Sequence, residues 1–275
     1  MALCEHPSSL LRFSMGLDRK FLESLHEFAR AGFVQPGHKV IEIGAQQLAV
    51  PFLQSVDLLD VIFKSFGRIR PELGAPKGSP ISLASNAPSS RLFWESLGLS
   101  YSAIDFDGHR NSISLDLNCE TVPDDLRGKF DLVVNGGTTE HVVNQDHAFR
   151  VIHDLARVGA VMYHDVPVCM FGHGLINYSP KFFLQLFRLN DYHPLFIRVQ
   201  AWSETKIPRY VRAMNRKWGR GNSFDFEGVK DLTITAAFRK LREQPFVTPL
   251  DLPRTLMMKE YVRSWRRWKH LLPLR

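Results

Sequence analysis

The sequence predicts an α/β fold built on a doubly wound, mainly parallel sheet, and three observations predict it. Strand and helix signals alternate along most of the chain. The run Phe130 to Asn135 (FDLVVN) is apolar and β-branched as a central parallel strand should be, and a glycine pair follows it. Two further strand-like segments, Leu195 to Trp202 and Leu232 to Arg239, come late and close the pattern. At 275 residues and 44% hydrophobic content the chain can bury one substantial core without disulfides.

The elements follow in order. Leu17 to Ala31 carries a helix-period stripe of Leu17, Phe21, Leu22, Leu25, Phe28 and Ala29, ended by Gly32 and the Pro36-Gly37 turn. Lys39 to Ile43 (KVIEI) reads as a short buried strand that stops at Gly44. From Pro51 to Ser90 a helix signal through Val56, Leu59, Val61, Ile62 and Phe66 gives way to a stretch rich in Pro, Gly and Ser, which suggests an insertion or a lid. Leu92 to Leu97 reads as a short helix and Ser100 to Phe106 as a strand ending in acid. After FDLVVN come a helix over Val142 to Leu155, a strand Ala160 to His164, and a helix Pro180 to Leu189 with proline in its first turn. The expected organisation is an N-terminal helical cap over 1–38, a body over 39–240 with the insertion at about 51–90, and a basic, aromatic tail over 241–275.

Charge is unevenly spread. The net charge is +7, but before position 205 the chain has 18 basic against 22 acidic residues, and from there on 17 against 6. A partner attracted by positive charge is therefore expected at the C-terminal end. Three cysteines, Cys4, Cys119 and Cys169, suit neither a disulfide framework nor a zinc site. No signal-peptide pattern opens the chain, and no stretch reaches the roughly 18 apolar residues of a membrane span. A cytoplasmic protein is the expectation.

In an open parallel sheet, ligands bind outside the carboxyl ends of the strands, which directs attention to four strand ends. Glu42-Ile43-Gly44-Ala45-Gln46 offers a glycine for close backbone approach, and the N-terminus of the helix expected to follow offers free amides. Asp105-Phe106-Asp107-Gly108 places a carboxylate where it would accept both hydroxyls of a ribose; a solvated Asp-Gly turn is the plainer alternative. Leu115-Asp116-Leu117-Asn118 could lie against an adenine, with Asp116 accepting from its amine and Leu117 covering the ring, or could be an exposed turn. Asn135-Gly136-Gly137-Thr138-Thr139-Glu140-His141 puts small and then polar residues where a strand meets a helix.

The ordered series VIEIG, SAIDFDG, SISLDLN and FDLVVNGGTTEHV resembles the first four motifs of class I S-adenosylmethionine-dependent methyltransferases, over about Val40 to Leu189. The run GTTEHVVNQDHAFRVIHD from Gly137, with HGLINY from His173 and PKFF from Pro180, is similar to a bacterial subgroup of that superfamily. The resemblance implies a Rossmann-like seven-stranded sheet with a late antiparallel strand pair. It implies S-adenosylmethionine as cofactor and methyl transfer to a small-molecule or sugar acceptor, most simply at a hydroxyl. Residue by residue it points to Glu42, Gly44 and Gln46 for the methionine moiety and to Asp105, with Asp107 second, for the ribose. It likewise points to Asp116 and Leu117 for the adenine, and to Asn135, Gly136 and Gly137 beside the sulfonium. One departure is clear: GAQQLA stands where the family has two or three spaced glycines. An inactive binding protein that keeps the fold is therefore an alternative reading.

Methyl transfer to a hydroxyl needs a base near the strand ends. His164 with Asp165, directly after the expected AVMYH strand, is the first candidate, followed by His141 and His173, each of which could instead be a packed or solvated histidine. Residues His173 to Tyr178 form a candidate acceptor loop, with His173, Asn177 and Tyr178 as hydrogen-bonding groups. The set Asp105, Asp107, His164 and Asp165 has no recognised ligand spacing, so no essential metal is expected. In the tail, YVRSWRRW from Tyr261 interleaves aromatics with arginines. As a helix it would pack on the body or a partner, a second copy included; it would also suit an anionic surface or lipid-linked glycan, and less readily nucleic acid, which leaves a nucleic-acid methyltransferase as a further alternative.

Overall fold

The computed structural model describes residues 16–49, 53–73, 88–170, 173–201 and 232–251. Its strands are β1 (Lys39–Ile43), β2 (Ser100–Asp105), β3 (Ile113–Ser114), β4 (Phe130–Gly136), β5 (Ala156–Cys169), β6 (His193–Ala201) and β7 (Leu232–Arg239). They form one seven-stranded sheet in the order β3-β2-β1-β4-β5-β7-β6. β1 to β5 pair in parallel, and β7 lies antiparallel between β5 and β6. This is the Rossmann-like α/β sheet with a late antiparallel pair. The order reverses at β1, whose neighbours β2 and β4 diverge above it and open a crevice at their carboxyl ends.

Helices cover both faces. α1 (Arg19–Arg30), α2 (Val56–Ser65) and α3 (Arg91–Ser96) bury Phe21, Leu25, Phe28, Ile62, Phe63, Phe93 and Trp94 against one face. α4 (Gln145–Leu155) and α5 (Pro180–Leu189) bury Phe149, Ile152, Leu155, Phe183 and Leu186 against the other. Capping explains where they start. Asp18 accepts from the Phe21 amide, Asn144 from the His147 amide and Ser179 from the Lys181 amide, with Pro180 in the first turn of α5. β4 is buried from Phe130 to Asn135, which accounts for its unbroken apolar run.

Three sequence expectations need correcting. β5 runs on to Cys169, well past the expected end at His164, because beyond Asp165 it pairs with β7 through Val166, Pro167 and Cys169. Within the supposed insertion, α2 is core: Leu59, Ile62 and Phe63 are fully buried with the residues of α1. No helix starts at Gly44 either, since residues 45–49 are non-helical and Leu17 bridges to Leu48 and Gln47 to Ser89. Residues 74–87, the whole connection from Ser203 to Lys230, and the YVRSWRRW tail lie outside the described residues. Among the described residues no helix is long and apolar enough to cross a membrane.

One buried cation closes the sheet's far end. Lys240, immediately after β7 and only 1% exposed, donates from Nζ to the carbonyls of His153 (3.2 Å) and Ala156 (3.1 Å), where α4 gives way to β5. Lys240→Met leaves these carbonyls without that donor, and the expected loss is about 1–3 kcal/mol, read from the midpoint of urea denaturation.

Candidate functional site

A cleft of about 400 Å³ opens at the carboxyl ends of β1, β2 and β4. Its lining comes from the three loops that leave those strands and from the turn after β3, a size and place typical of small-ligand sites.

The loop after β1 is built almost entirely from internal hydrogen bonds. Gly44 has φ +78°, and a side chain there would collide with Thr138 Oγ1. Thr138 Oγ1 in turn donates to the Ile43 carbonyl at 2.6 Å. The Ala45 amide donates to Asp105 Oδ2 (3.0 Å) and the Gln46 amide to Glu42 Oε2 (2.9 Å). Gln46 folds its own side-chain amide back onto the Gly44 carbonyl at 3.1 Å, filling the room that a further glycine would leave open. Sequence reasoning missed this use of Gln46, since nothing in GAQQLA distinguishes a staple from a ligand contact.

Glu42 does not line the cleft. It lies beneath it, fully buried, where its carboxylate accepts from Ser90 Oγ (2.7 Å), Trp94 Nε1 (2.7 Å), Tyr101 Oη (2.8 Å) and the Gln46 amide. Burial pushes its carboxyl above the usual range, and these four donors pull it back.

Asp105, Asp116 and Leu117 line the cleft, as do Gly44, Gln46 and Gly137. Asp105 accepts from the Ala45 and Phe106 amides, which fixes its carboxylate at the tip of β2 while leaving further lone pairs toward the cleft. Asp116 is held below the usual carboxylate range by hydrogen bonds from the Asn118 amide and side chain. Asp107 is exposed and lies outside the cleft lining. Two lining residues went unread in the sequence. Phe106 is 74% exposed on the wall, and Arg110, at φ 56°, donates to the Ala45 carbonyl at 3.0 Å. Phe106 stands within the SAIDFDG run without a role singled out for it, and Arg110 lies outside every motif.

Asn135 is fully buried, bound to Thr139 Oγ1 at 2.9 Å and placed 3.3 Å from His164 Nδ1, so it supports the loop after β4 from below. Gly136 is in register with Asp165 and has Gln46 and Leu17 over it.

The His164-Asp165 pair does not face the cleft. Because β5 continues, both are mid-strand, and their side chains point to opposite faces of the sheet. His164 packs against the rings of Phe149, Phe183 and Phe238, and burial drives its pKa down to about 3, which leaves it neutral and unfit to take up a proton near neutral pH. Asp165 lies on the α1 side beside Thr235 Oγ1.

His141 is the one candidate base on the cleft wall. The ring of His173 packs edge-on to it at 5.1 Å between centroids, and His173 Nε2 lies 3.2 Å from Glu140 Oε1. Asn177 Oδ1 accepts from the Met170 amide at 2.9 Å and closes the loop between them. Tyr178 is buried and donates to Thr139 Oγ1 at 2.9 Å; of the expected acceptor loop, only His173 comes close to the cleft lining.

No protein-family model matches the chain, and no curated protein matches it by sequence. By structure it is similar to the 1,6-didemethyltoxoflavin-N1-methyltransferase of Burkholderia thailandensis, solved with 1,6-didemethyltoxoflavin and S-adenosylhomocysteine bound (13% identity, 80% of this chain and 78% of that one, TM-score 0.40). It is also similar to phosphoethanolamine N-methyltransferase 2 of Haemonchus contortus in complex with S-adenosyl-L-methionine (10%, 82% and 53%, 0.42). A third is the 16S rRNA (adenine(1408)-N(1))-methyltransferase of Catenulisporales acidiphilia (9%, 84% and 98%, 0.39).

Burial, with the Asp18 carboxylate beside it, pushes Asp165 from 3.8 up to about 7. An acid raised in this way contributes stability that is full below about pH 4 and is lost as pH rises through 7, because the folded state then holds the extra proton less and less. Asp165→Asn should therefore gain on the parent protein between pH 5 and pH 8, by about 1 kcal/mol or more in denaturation midpoints converted to free energy. A difference that does not change with pH would show that Asp165 does not titrate in that window.

Proposed function

We propose that this chain transfers the methyl group of S-adenosylmethionine to a small-molecule or glycan acceptor, at a hydroxyl in the simplest case. The observation that carries this reading is the Asp105 carboxylate, fixed by two backbone amides at the tip of β2 and turned into a cleft at the sheet's switch point. The donor set suits the cofactor part by part. Asp105 would accept the ribose hydroxyls, Phe106 and Leu117 would flank the adenine, and Asp116 would accept from its amine. Gly44, Gln46 and Gly137 would line the methionine end. When bound, S-adenosylmethionine supplies an electrophilic methyl group on a sulfonium. The chain's own work is then to orient the acceptor and to receive its proton.

Acceptor activation we assign to the Glu140, His141 and His173 cluster, of which His141 faces the cleft. His164 and Asp165 have no part in it, being buried within β5.

Titration calorimetry of the full chain with S-adenosylhomocysteine tests the cofactor half. One-site binding is expected, weakened about tenfold to a hundredfold in Asp105→Ala and also in Asp105→Asn, whose melting temperature serves as the check on folding. No binding by the parent protein would favour the inactive relative. For the acceptor half, His141→Ala should lower methyl transfer about a hundredfold or more, measured as S-adenosylhomocysteine release with an acceptor found among sugars and hydroxylated metabolites. Its affinity for S-adenosylhomocysteine should stay within a few-fold of the parent's, and a proportionate loss of both would remove His141 from that role.

A further inference from the structure

Among the described residues, one group of three side chains brings metal-ligating atoms together: Glu140, His141 and His173, with all three ligand atoms within 4.8 Å of one another. Glu140 is fully buried. Its Oε1 lies 3.2 Å from His173 Nε2, while its Oε2, also buried, has no hydrogen-bond partner among the described residues. A buried carboxylate oxygen without a donor is a costly feature for a fold to keep, and a cation is the natural partner for it. Among the described residues the carboxylate has no side-chain partner besides His173, and Thr139, Asn135 and Tyr178 bond to one another on the neighbouring side of the turn.

The backbone holds the three residues in place. The Glu140 carbonyl accepts from the amides of Leu175 (2.7 Å) and Ile176 (3.0 Å), which straps the 173–178 segment to the turn carrying Glu140 and His141. Gly174, at φ +68°, makes this approach feasible, since a Cβ there would lie 2.7 Å from Glu140 Cγ.

We infer that Glu140, His141 and His173 form a binding site for a divalent first-row transition-metal ion at the end of the cleft lined by Gly137, Thr138 and His141. Two imidazoles and one carboxylate are the donor set of metal sites that keep an open coordination position, zinc and non-haem iron among them. Here the open position faces the cleft, because His141 is exposed on its wall while Glu140 is covered. Bond lengths of about 2.0–2.2 Å require the three groups to draw in modestly from their present separation. That the ion would meet an acceptor oxygen or nitrogen there rests on the methyl-transfer reading; the site itself rests only on these side chains.

The test is titration of the untagged, chelator-treated full chain with Co²⁺, followed by visible d–d absorption and by metal analysis after gel filtration. A single Co²⁺ per chain, displaced by Zn²⁺, is expected. In His173→Ala and Glu140→Gln the affinity should fall about tenfold or more. The melting temperatures of the metal-free variants, compared with the metal-free parent, report on folding independently of any ligand. Absence of the absorption band, or equal Co²⁺ affinity in His173→Ala, overturns the metal site. Failure to bind S-adenosylhomocysteine in the parent protein overturns the cofactor reading instead and leaves the Co²⁺ result standing.

Discussion

Glu42 accepts hydrogen bonds from Gln46, Ser90, Trp94 and Tyr101, groups carried by the loop after β1, the start of α3, α3 itself and β2. A fully buried carboxylate is tolerated only when its lone pairs are so occupied, and the same bonds dictate where each of those stretches must run. The Gln46 amide is held from below by Glu42, and the Ala45 amide from the side by Asp105. Between them these two carboxylates set the floor of the cleft. The loop takes one shape because an acid lies on each side of it, with Gly44 at the single point where no Cβ fits.

This arrangement explains how GAQQLA holds a tight turn without spaced glycines. Spaced glycines serve where backbone must turn tightly or approach a ligand. Here one positive-φ glycine makes the turn, and Gln46 supplies hydrogen bonds that the backbone would otherwise seek elsewhere. The amides of Ala45 and Gln46 are already committed to carboxylates, so recognition in this cleft falls more heavily on side chains: Asp105, Asp116, Phe106 and Arg110. The loop's polar groups are satisfied within the protein itself, an arrangement that would lower the ordering cost of any binding there.

Much of the sheet was legible because its signals are strong. β1 and β7 and the helix α5 fall at the expected bounds, and β4 extends one residue beyond them, since an unbroken apolar strand or a capped amphipathic helix admits few readings. β3 carried no separable signal, being two residues long. The extension of β5 was hidden by its composition: Asp165 and Pro167 resemble a strand end. Asp165, however, still pairs with Gly136 of β4, and Pro167 lies just past the end of β4, where only β7 pairs with β5, a place that tolerates a proline. That one misplaced boundary is why His164 and Asp165 looked like cleft residues. The cleft's acids at strand tips were readable from position alone; Glu42 was not, because alternation along a strand buried on both faces does not reveal which side meets a ligand. Arg110 and Phe106 depend on the path of a loop, which no periodicity encodes.

Thr138 joins the two halves of the cleft. Its hydroxyl donates to the Ile43 carbonyl and occupies the space that a Gly44 side chain would need, while its own backbone carbonyl accepts from the His141 amide at 3.0 Å. The loop after β1, which borders the Asp105 side, and the turn bearing Glu140 and His141 are thus tied through one residue. A displacement of His141 would therefore be felt first at Thr138 and, through its hydroxyl, at the Ile43-Gly44 turn. Were binding at the cluster of Glu140, His141 and His173 to change affinity on the Asp105 side, the effect would run equally in both directions, since linkage between two binding sites is reciprocal.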